Sequence, residues 1–245
     1  MIKRIAIFLR DDNKRALVWR KKIEAHLKKK YPEVNLYSEK PELVIALGGD
    51  GTILEASRIY RKIAPIVVGL NLGHVGFLAS ARTPREFIPA IDAILKGKYN
   101  TTKRMMITAK VFRKGKLIYE TDCLNEVTAQ GLMNSVKMTV SVDGHPLQYI
   151  HGTGVIISTP TGSTAYNLSA HGPIVTPDIH CMIVTEILDH NIPTPSIVVK
   201  RTKTIHIDIT EVRKRGVLSL TDTGLPVHAV LTVDDMNLFP LEPLD

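Results

Sequence analysis

The stretch LVIALGGDGTILEASRIY, Leu43–Tyr60, constrains the fold more than any other part of the sequence. Its first five residues, Leu43–Leu47, are all apolar and predict a buried strand, and the spacing from Ile53 to Arg61 predicts a helix directly after it. The turn Gly48–Thr52 (GGDGT) joins the two. A buried strand that passes through glycines into a helix is typical of a mostly parallel sheet with helices on its faces.

The same alternation extends through the first hundred residues. Strands are predicted at Ile5–Leu9, Leu43–Leu47 and Ile66–Leu70, and helices at Lys14–Lys30, Ile53–Arg61 and Pro84–Leu95, the last closed by Gly97. Along the first helix the apolar stripe is Ala16, Trp19 or Arg20, Ile23 and Leu27. This βαβαβ pattern predicts a Rossmann-like α/β domain over residues 1–99.

After Gly97 the sequence becomes rich in short β-type segments separated by turns. They are Met105–Phe112, Leu117–Thr121, Lys137–Val142, Gly154–Ser158, Ile183–Ile187, Ile197–Val199, Thr204–Ile209 and Ala229–Val233. This pattern predicts a β-sandwich-like domain over residues 100–229, and we expect the tail 230–245 to pack back on the first domain.

The charge and composition of the chain indicate which kinds of partner it can bind. The formal net charge of +8 and pI near 9.4 favour an anionic partner. The basic run Arg20–Lys30 lies opposite the Ile23/Leu27 stripe, and no aromatic residues alternate with its charges, so a solvated helix face is favoured over nucleic-acid binding. No window of eighteen uncharged apolar residues predicts a membrane span. Two cysteines, Cys123 and Cys181, indicate reduced core thiols in a cytoplasmic protein.

The GGDGT turn favours an anion, except at Asp50. Glycines admit a ligand close to the backbone, and free N–H groups at a helix start attract phosphate. Thr52 is the candidate N-cap. Since a carboxylate repels phosphate, Asp50 must either hold Mg²⁺ or accept a proton from the hydroxyl that attacks the phosphate. The alternative is a tight turn in which Asp50 is only a capping residue.

A second motif lies in Gly152–Val175. The strand that ends at Ser158 breaks at Pro160, and a helix is predicted to begin near Ser163. The loop is rich in hydroxyl groups that could bind a ribose or a phosphate, and an aromatic ring follows: Thr159, Thr161, Ser163, Thr164 and Tyr166. An ordinary Ser/Thr-rich loop is the alternative.

Taken in order, GGDGT, Asn71–Leu78 (NLGHVGFL), Leu124–Glu126 (LNE) and Ser158–Tyr166 (STPTGSTAY) resemble the NAD kinase family over residues 43–178. The resemblance implies transfer of the terminal phosphoryl of ATP, or of polyphosphate, to the 2′-hydroxyl of the adenosine ribose of NAD. It implies Asp50 as the catalytic base. The donor phosphates would lie against Gly48, Gly49, Gly51 and Thr52, with Mg²⁺ arriving on ATP, no metal site fixed by the protein and no tightly bound organic cofactor.

The same resemblance implies the NAD-binding residues. They are Phe77, Asn125, Glu126, Lys137, His151, Thr153, Thr161, Thr164, Ala165, Tyr166 and Ser169. For three of them an alternative stays open: Phe77 as a core residue, Asn125 as a turn residue and Lys137 as an exposed strand lysine. Because similar enzymes build the NAD site at a subunit contact, a homodimer or homotetramer is expected.

The sequence departs from the family pattern at Thr153, where Asp is usual, at Glu55, where a basic residue is common, and at His171, where Gly is usual. Candidates for the family's late Asp-Gly-Gln turn are Asp222–Gly224 and Asp234–Asp235. Two other functions therefore remain as alternatives: a lipid or sugar kinase that shares GGDGT, and an NAD-binding relative without catalytic activity.

Overall fold

The computed structural model describes residues 2–10, 13–73, 76–190, 194–213, 227–234 and 237–243. The chain divides into two compact units, Met1–Thr102 and Lys103–Asp245. The sequence places this boundary after residue 99. Each unit is described by itself below.

The first unit is an α/β layer structure. Its strands are β1 (Arg4–Leu9), β2 (Asn35–Leu36), β3 (Leu43–Gly48) and β4 (Ile66–Asn71), and its α-helices are α1 (Lys14–Lys30), α2 (Asp50–Ile59) and α3 (Phe87–Leu95). The described strands form one parallel sheet in the order β2-β1-β3-β4. The two-residue strand β2 is too short to give a sequence pattern and is absent from the prediction.

Helices cover both faces of this sheet, which explains why β3 is apolar at every position. Successive side chains of a strand point to opposite faces. Ile45 lies in the apolar cluster formed with α1 and α3, and Ala46 lies in the cluster formed with α2. Of the two alternatives for the stripe of α1, Trp19 is the one that packs inward, and its ring meets Phe87 edge-on at 4.9 Å between centroids.

The second unit is a β-sandwich-like structure of antiparallel strands. Its strands are β5 (Ile107–Arg113), β6 (Lys116–Cys123), β7 (Glu126–Gly131), β8 (Val136–Val142), β9 (His145–Gly152), β10 (Gly154–Ser158), β11 (Cys181–Ile187), β12 (Ile197–Lys200), β13 (Ile205–Val212), β14 (Ala229–Val233) and β15 (Asn237–Leu241), with one short helix, α4 (Tyr166–Ser169). A six-stranded sheet, β12-β11-β10-β7-β14-β15, packs with the β13-β8-β9 sheet and the β5-β6 hairpin around one apolar core. The predicted fold class, α/β followed by an all-β unit, is confirmed.

The second unit differs from the sequence-based expectation in three strands and at the end of the chain. Strands β7, β9 and β15 are absent from the prediction, yet β7 lies between β10 and β14 in the large sheet, β9 pairs with β8, and β15 pairs with β14. The end of the chain also differs: β14 and β15 pair with each other, and β14 pairs with β7, so this part of the tail belongs to the second unit. The physical reason is that every residue of β14 is buried and that the strand pairs with β7 on one side and β15 on the other.

Candidate active site

The glycine turn of the first unit lies where β3 and β4 both end. These strands are parallel neighbours, and Gly48 is paired with Asn71, so the turn and the segment after β4 meet at one edge of the sheet. Helix α2 begins at Asp50 and its N-cap is Gly49. The prediction of Thr52 as N-cap is wrong. Thr52 is buried within the first turn of α2, where its Oγ1 lies 2.1 Å from the position that a Cβ on Gly48 would occupy.

Asp50 is held by the segment that follows β4. Its Oδ2 accepts the backbone N–H of Phe77 at 2.7 Å, and its Oδ1 accepts that of Leu78 at 3.3 Å. A Cβ at Gly76 would lie 2.2 Å from Oδ1, so this approach requires glycine there. Since a carboxylate can accept about four hydrogen bonds, these two fix its orientation and leave acceptor positions for a ligand hydroxyl. His74 and Val75 of the same motif lie outside the described residues.

Of the two glycines beside Asp50, Gly49 borders open space and Gly51 faces the guanidinium of Arg10. Nothing lies within 4 Å of the position that a Cβ on Gly49 would take, and the nearest atom for Gly51 is Nη2 of Arg10, at 3.8 Å. The N–H of Thr52 donates to the carbonyl of Gly49 at 3.0 Å. The N–H groups before it at the start of a helix have no carbonyl to pair with inside the helix, and the helix dipole places partial positive charge there. An anion can therefore reach the start of α2 from this side.

The backbone N–H of Phe77 is hydrogen-bonded to Asp50, whereas its side chain is exposed to solvent. Its ring is 75% exposed, so the alternative that it is a core residue is wrong. The ring is accessible for stacking on a flat ligand.

In the second unit, Asn125 lies in the short turn between β6 and β7, and Glu126 is the first residue of β7. This turn is held from two sides. Asp234, 5% exposed and placed directly after β14, accepts the backbone N–H of Asn125 at 2.7 Å and that of Leu124 at 3.0 Å. The N–H of Asp234 donates to the carbonyl of Glu126 at 3.0 Å. From the β10 side, the N–H of Thr159 donates to the carbonyl of Asn125 at 2.8 Å. These hydrogen bonds fix the backbone at Asn125. The residue therefore occupies a turn, as one of the two interpretations of the sequence expected.

Asp234 is a residue whose contribution the sequence indicates only weakly. It is one of the two candidates for the late turn of the family, and the other, Asp222–Gly224, lies outside the described residues. Its φ of +50° is in the left-handed region, which Asp tolerates better than most residues. An acidic residue at the end of an apolar strand is the signal that could have identified it.

The Ser/Thr-rich loop uses some of its hydroxyl groups internally. The hydroxyl of Thr159 donates to the carbonyl of Leu124 at 2.5 Å and accepts the N–H of Gly162 at 3.1 Å. The hydroxyl of Ser163 donates to the carbonyl of Pro160 at 2.7 Å and accepts the N–H of Val175 at 3.0 Å. Both side chains are fully buried, so they shape the loop, and the expectation that they bind ligand is corrected.

The rest of the loop lies beside Asn125. A Cβ on Gly162 would be 2.3 Å from the carbonyl oxygen of Asn125, so the loop approaches this turn closely. Thr161 accepts a hydrogen bond from Nη1 of Arg104 at 3.2 Å, which brings a cation to the loop that the sequence reading missed. Instead of one helix from Ser163, the chain forms a 3-10 turn and then α4. Four expected NAD-binding residues follow on this turn and α4, where they are partly or fully exposed: Thr164, Ala165, Tyr166 and Ser169.

Three other expected NAD-binding residues form a separate group. Lys137 on β8 is exposed and forms an ion pair with Glu211 on β13, with Nζ and Oε2 2.7 Å apart. Lys137 is also the cross-strand partner of His151 on β9. Thr153 follows β9, and its N–H donates to the carbonyl of Ile187 at 3.0 Å.

The two groups lie at opposite ends of β10. Thr153 precedes its first residue, Gly154, whereas Thr159 and the Asn125 turn lie at its last residue, Ser158. A five-residue strand spans roughly 13 Å between its end Cα atoms, and every residue of β10 is buried. The structure therefore does not bring Lys137, His151 and Thr153 to the Asn125 turn of the same chain.

Within the described part of the chain, no group of three or more His, Cys, Asp or Glu side chains is placed to hold a metal ion. Both cysteines are free and buried, and burial raises the pKa of the Cys123 thiol well above its usual value. No described helix has the length and apolar character to cross a bilayer.

Comparison with known proteins gives consistent matches. The profile of the ATP-NAD kinase N-terminal domain matches residues 5–99, and that of the ATP-NAD kinase C-terminal domain matches residues 124–237. The NAD kinase of Lachnoclostridium phytofermentans is 38% identical over 195 residues, which are 78% of this chain and 68% of the relative. That of Syntrophotalea carbinolica is 39% identical over 193 residues, 77% of this chain and 67% of the relative. The chain thus spans about two thirds of the length of these relatives.

Two solved structures share the fold. Yeast NADH kinase in complex with NADH has a TM-score of 0.83 at 23% identity and covers 100% of this chain and 76% of its own. An NAD kinase from Archaeoglobus fulgidus in complex with ATP has a TM-score of 0.74 at 24% identity and covers 98% of this chain and 87% of its own.

An α/β unit with a carboxylate in a glycine turn at a helix start, followed by a β-sandwich-like unit, defines a two-unit phosphotransferase. The profiles cover most of the chain, and several relatives exceed one third identity. The chain belongs to the NAD kinase family, which confirms both the family and the enzyme class predicted from the sequence.

Proposed function

We propose that the chain transfers the terminal phosphoryl of ATP to the 2′-hydroxyl of the adenosine ribose of NAD and that Asp50 is the base. The supporting observation is the setting of Asp50. Its carboxylate is oriented by the N–H groups of Phe77 and Leu78 and stands beside Gly49, which borders open space at the start of α2.

The chemistry requires one proton acceptor. The 2′-oxygen forms a bond to the γ-phosphorus as the bond from that phosphorus to the β,γ-bridging oxygen breaks, and ADP leaves. The proton of the 2′-hydroxyl passes to the carboxylate of Asp50. A positioned base of this kind contributes about 10²- to 10⁴-fold in rate. Alignment of donor and acceptor and neutralisation of phosphate charge supply the rest.

The donor phosphates bind at the glycine turn. Gly49 and Gly51 admit them, while Gly48 and Thr52 pack against each other and support the turn. Asp50 is the only acidic residue within Gly48–Thr52. One carboxylate fits an Mg²⁺ ion that is carried mainly by the ATP phosphates, where it would neutralise their charge.

The acceptor binds at the turn of Asn125 and Glu126 and at the adjacent loop. An amide and a carboxylate together offer donors and acceptors for ribose hydroxyls and the amino group of adenine. Thr161, Thr164, Ala165, Tyr166 and Ser169 follow on the loop beside this turn. Phe77 of the first unit, whose ring is exposed, is proposed separately as a stacking contact for NAD. Asn125 is therefore proposed both to form the turn before β7 and to bind NAD through its side chain.

A second copy of the chain supplies Lys137, His151 and Thr153. The support is their position at the far end of β10, from which one bound NAD would have to pass a buried strand to reach the Asn125 turn of the same chain. We therefore expect a homodimer or homotetramer. Sedimentation equilibrium with and without NAD tests this assembly, and a monomer at every protein concentration would contradict it.

The proposed location is the cytoplasm, where NAD and ATP are available and where thiols such as Cys123 and Cys181 stay reduced. Fractionation of the source cells with an antibody to the chain tests this location.

A coupled NADP assay tests the reaction. Purified chain is given NAD or NADH with Mg²⁺ and either ATP or polyphosphate, and diacylglycerol and a sphingoid base serve as competing acceptors. NADP formed with ATP supports the proposal. Phosphorylation of a lipid in place of NAD would favour the lipid-kinase alternative. Binding of NAD by calorimetry without phosphorylation from either donor would favour a non-catalytic relative.

A further inference from the structure

Arg10 and Glu55 form an ion pair next to the glycine turn. Nε of Arg10 donates to Oε2 of Glu55 at 3.1 Å, and the two side chains are 44% and 25% exposed. Arg10 follows the last residue of β1, Leu9, which is paired with Leu47 of β3, so Arg10 lies at the sheet edge that carries the turn.

The guanidinium reaches the first turn of α2. The position of a Cβ on Gly51 is 3.8 Å from Nη2 and 4.0 Å from Nη1 of Arg10. Glu55 is one helical turn after Gly51 on the same face of α2. Because a guanidinium is a rigid fork of N–H donors, the bond from Nε to Glu55 sets the direction of the Nη side.

This arrangement accounts for the acidic residue at position 55. A basic residue from α2 would bring positive charge to the turn directly, and an acidic one alone would repel phosphate. In this chain the charge comes from β1, and the acidic residue of α2 holds it. An isolated exposed ion pair contributes only about 0–1 kcal/mol to stability, so substitution of either residue is expected to leave the fold intact.

We propose that Arg10 binds the phosphate chain of the ATP donor and that Glu55 is a positioning residue that orients Arg10. This inference rests on the proposed function, because it assigns a contact to the donor of that reaction. Arginine suits the task because its fork forms paired, charge-assisted hydrogen bonds with phosphate oxygens. The donor site then consists of the open space at Gly49, the start of α2 and one oriented guanidinium beside Gly51.

The test compares Arg10→Ala, Arg10→Lys and Glu55→Gln with the control Arg4→Ala. Arg4 is the first residue of β1, at the opposite end of the strand from Arg10, and it also pairs with a glutamate, Glu42, at 3.6 Å. KM for ATP, KM for NAD and kcat are measured, together with calorimetric binding of Mg²⁺-ATP in the absence of NAD.

Arg10→Ala is expected to raise KM for ATP and the ATP dissociation constant about 10- to 100-fold, with KM for NAD within about twofold. Arg10→Lys is expected to recover part of this loss, because the charge remains but the fork does not. Glu55→Gln is expected to weaken ATP binding about threefold to tenfold, because the guanidinium of Arg10 loses the carboxylate that orients it. Electrostatics alone would predict the opposite, since the substitution removes a negative charge near the phosphates. The control is expected to leave all constants unchanged.

Two failures are distinguishable. If the wild-type chain forms NADP and Arg10→Ala leaves the KM and the binding of ATP unchanged, the inference is overturned and the proposed reaction stands. If the wild-type chain forms no NADP, the proposed reaction fails, and ATP calorimetry on the same variants still decides the role of Arg10. Absence of ATP binding by the wild-type chain overturns both.

Discussion

The carboxylate of Asp234 accepts the backbone N–H of Asn125 at 2.7 Å, which ties the end of β14 to a turn 109 positions earlier in the chain. The same carboxylate accepts the N–H of Leu124, and the N–H of Asp234 donates to Glu126. Asp234→Asn replaces one acceptor oxygen by an N–H₂ group, so one buried N–H loses its partner. We expect a loss of about 1–3 kcal/mol in the free energy of unfolding and a larger rise in KM for NAD than for ATP.

Asp143→Asn is a matched control for Asp234→Asn. Asp143 also has a positive φ, +48°, and also accepts a backbone N–H, that of Thr204 at 2.9 Å, but in an exposed hairpin turn. Urea unfolding and steady-state kinetics on both variants give the comparison. Equal effects on KM for NAD would mean that Asp234 has no specific role at the Asn125 turn.

Gly48 and Gly49 are adjacent, yet alanine is expected to lower stability at Gly48 and to weaken ATP binding at Gly49. A methyl group at Gly48 would lie 2.1 Å from Oγ1 of buried Thr52, so Gly48→Ala is expected to cost about 1–3 kcal/mol of stability. A methyl group at Gly49 meets nothing within 4 Å. Gly49→Ala should change stability by less than about 1 kcal/mol and raise KM for ATP about 10- to 100-fold by occupying the donor space.

Thermal unfolding and ATP kinetics on these two variants separate packing from ligand access. A stable Gly49→Ala variant with normal KM for ATP would show that the open space over Gly49 is not where the donor binds.

His171 is held at a φ of +61°, in the left-handed region where glycine is favoured, and this is the position at which the family pattern has glycine. His171→Gly is expected to raise the free energy of unfolding by about 0.5–1 kcal/mol, the relief of strain less the greater chain entropy of glycine. The next residue behaves differently, because a Cβ on Gly172 would lie 2.2 Å from Oδ1 of buried Asn167. Gly172→Ala should therefore destabilise. Denaturant titration measures both, and a destabilised His171→Gly variant would show that the histidine side chain contributes more than its backbone costs.

Asp92 on α3 makes the first unit sensitive to acid. Burial alone would raise the pKa of Asp92, but hydrogen bonds from Lys30, His26 and Tyr31 outweigh it and lower the pKa to about 2. A lowered carboxyl pKa stabilises the fold above the unfolded value near 3.8 and loses that contribution as pH falls toward 2. We expect about 1–2 kcal/mol from this source, reduced because Lys30 is partly exposed.

Urea unfolding of the wild type and Asp92→Asn from pH 7 to pH 2 measures this contribution. The variant should be less stable at pH 7, and the difference between the two curves should shrink as pH falls below 3.8 toward about 2. Parallel curves over the whole range would contradict the assignment.

The first unit could be predicted from sequence because its signals are local. The apolar run before Gly48 and the helical spacing after Thr52 each lie within one element, and the alternation of such elements predicts a mostly parallel sheet. Strand β7 could not be read in this way. Its sequence EVTAQG contains polar residues whose partners are distant: the hydroxyl of Thr128 meets that of Thr232 on β14 at 2.5 Å, and Glu126 is buried.

In the candidate site, too, local sequence motifs could be predicted and contacts between distant positions could not. Motifs and family resemblance name Asp50, Asn125 and the loop after Ser158. The groups that orient them, which are the N–H groups of the segment after Gly76 and the carboxylate of Asp234, come from sequence-distant positions that spacing alone does not connect.

The most direct test of the account is the single-turnover rate of NADP formation by Asp50→Asn, measured together with calorimetric binding of NAD to the same variant. Asparagine keeps the shape of the side chain and removes its ability to take up the proton. The account predicts a rate lower by about two orders of magnitude or more, with NAD affinity within about threefold of the wild type. An unchanged rate in a variant that is folded and binds NAD would contradict the assignment of Asp50 as the base.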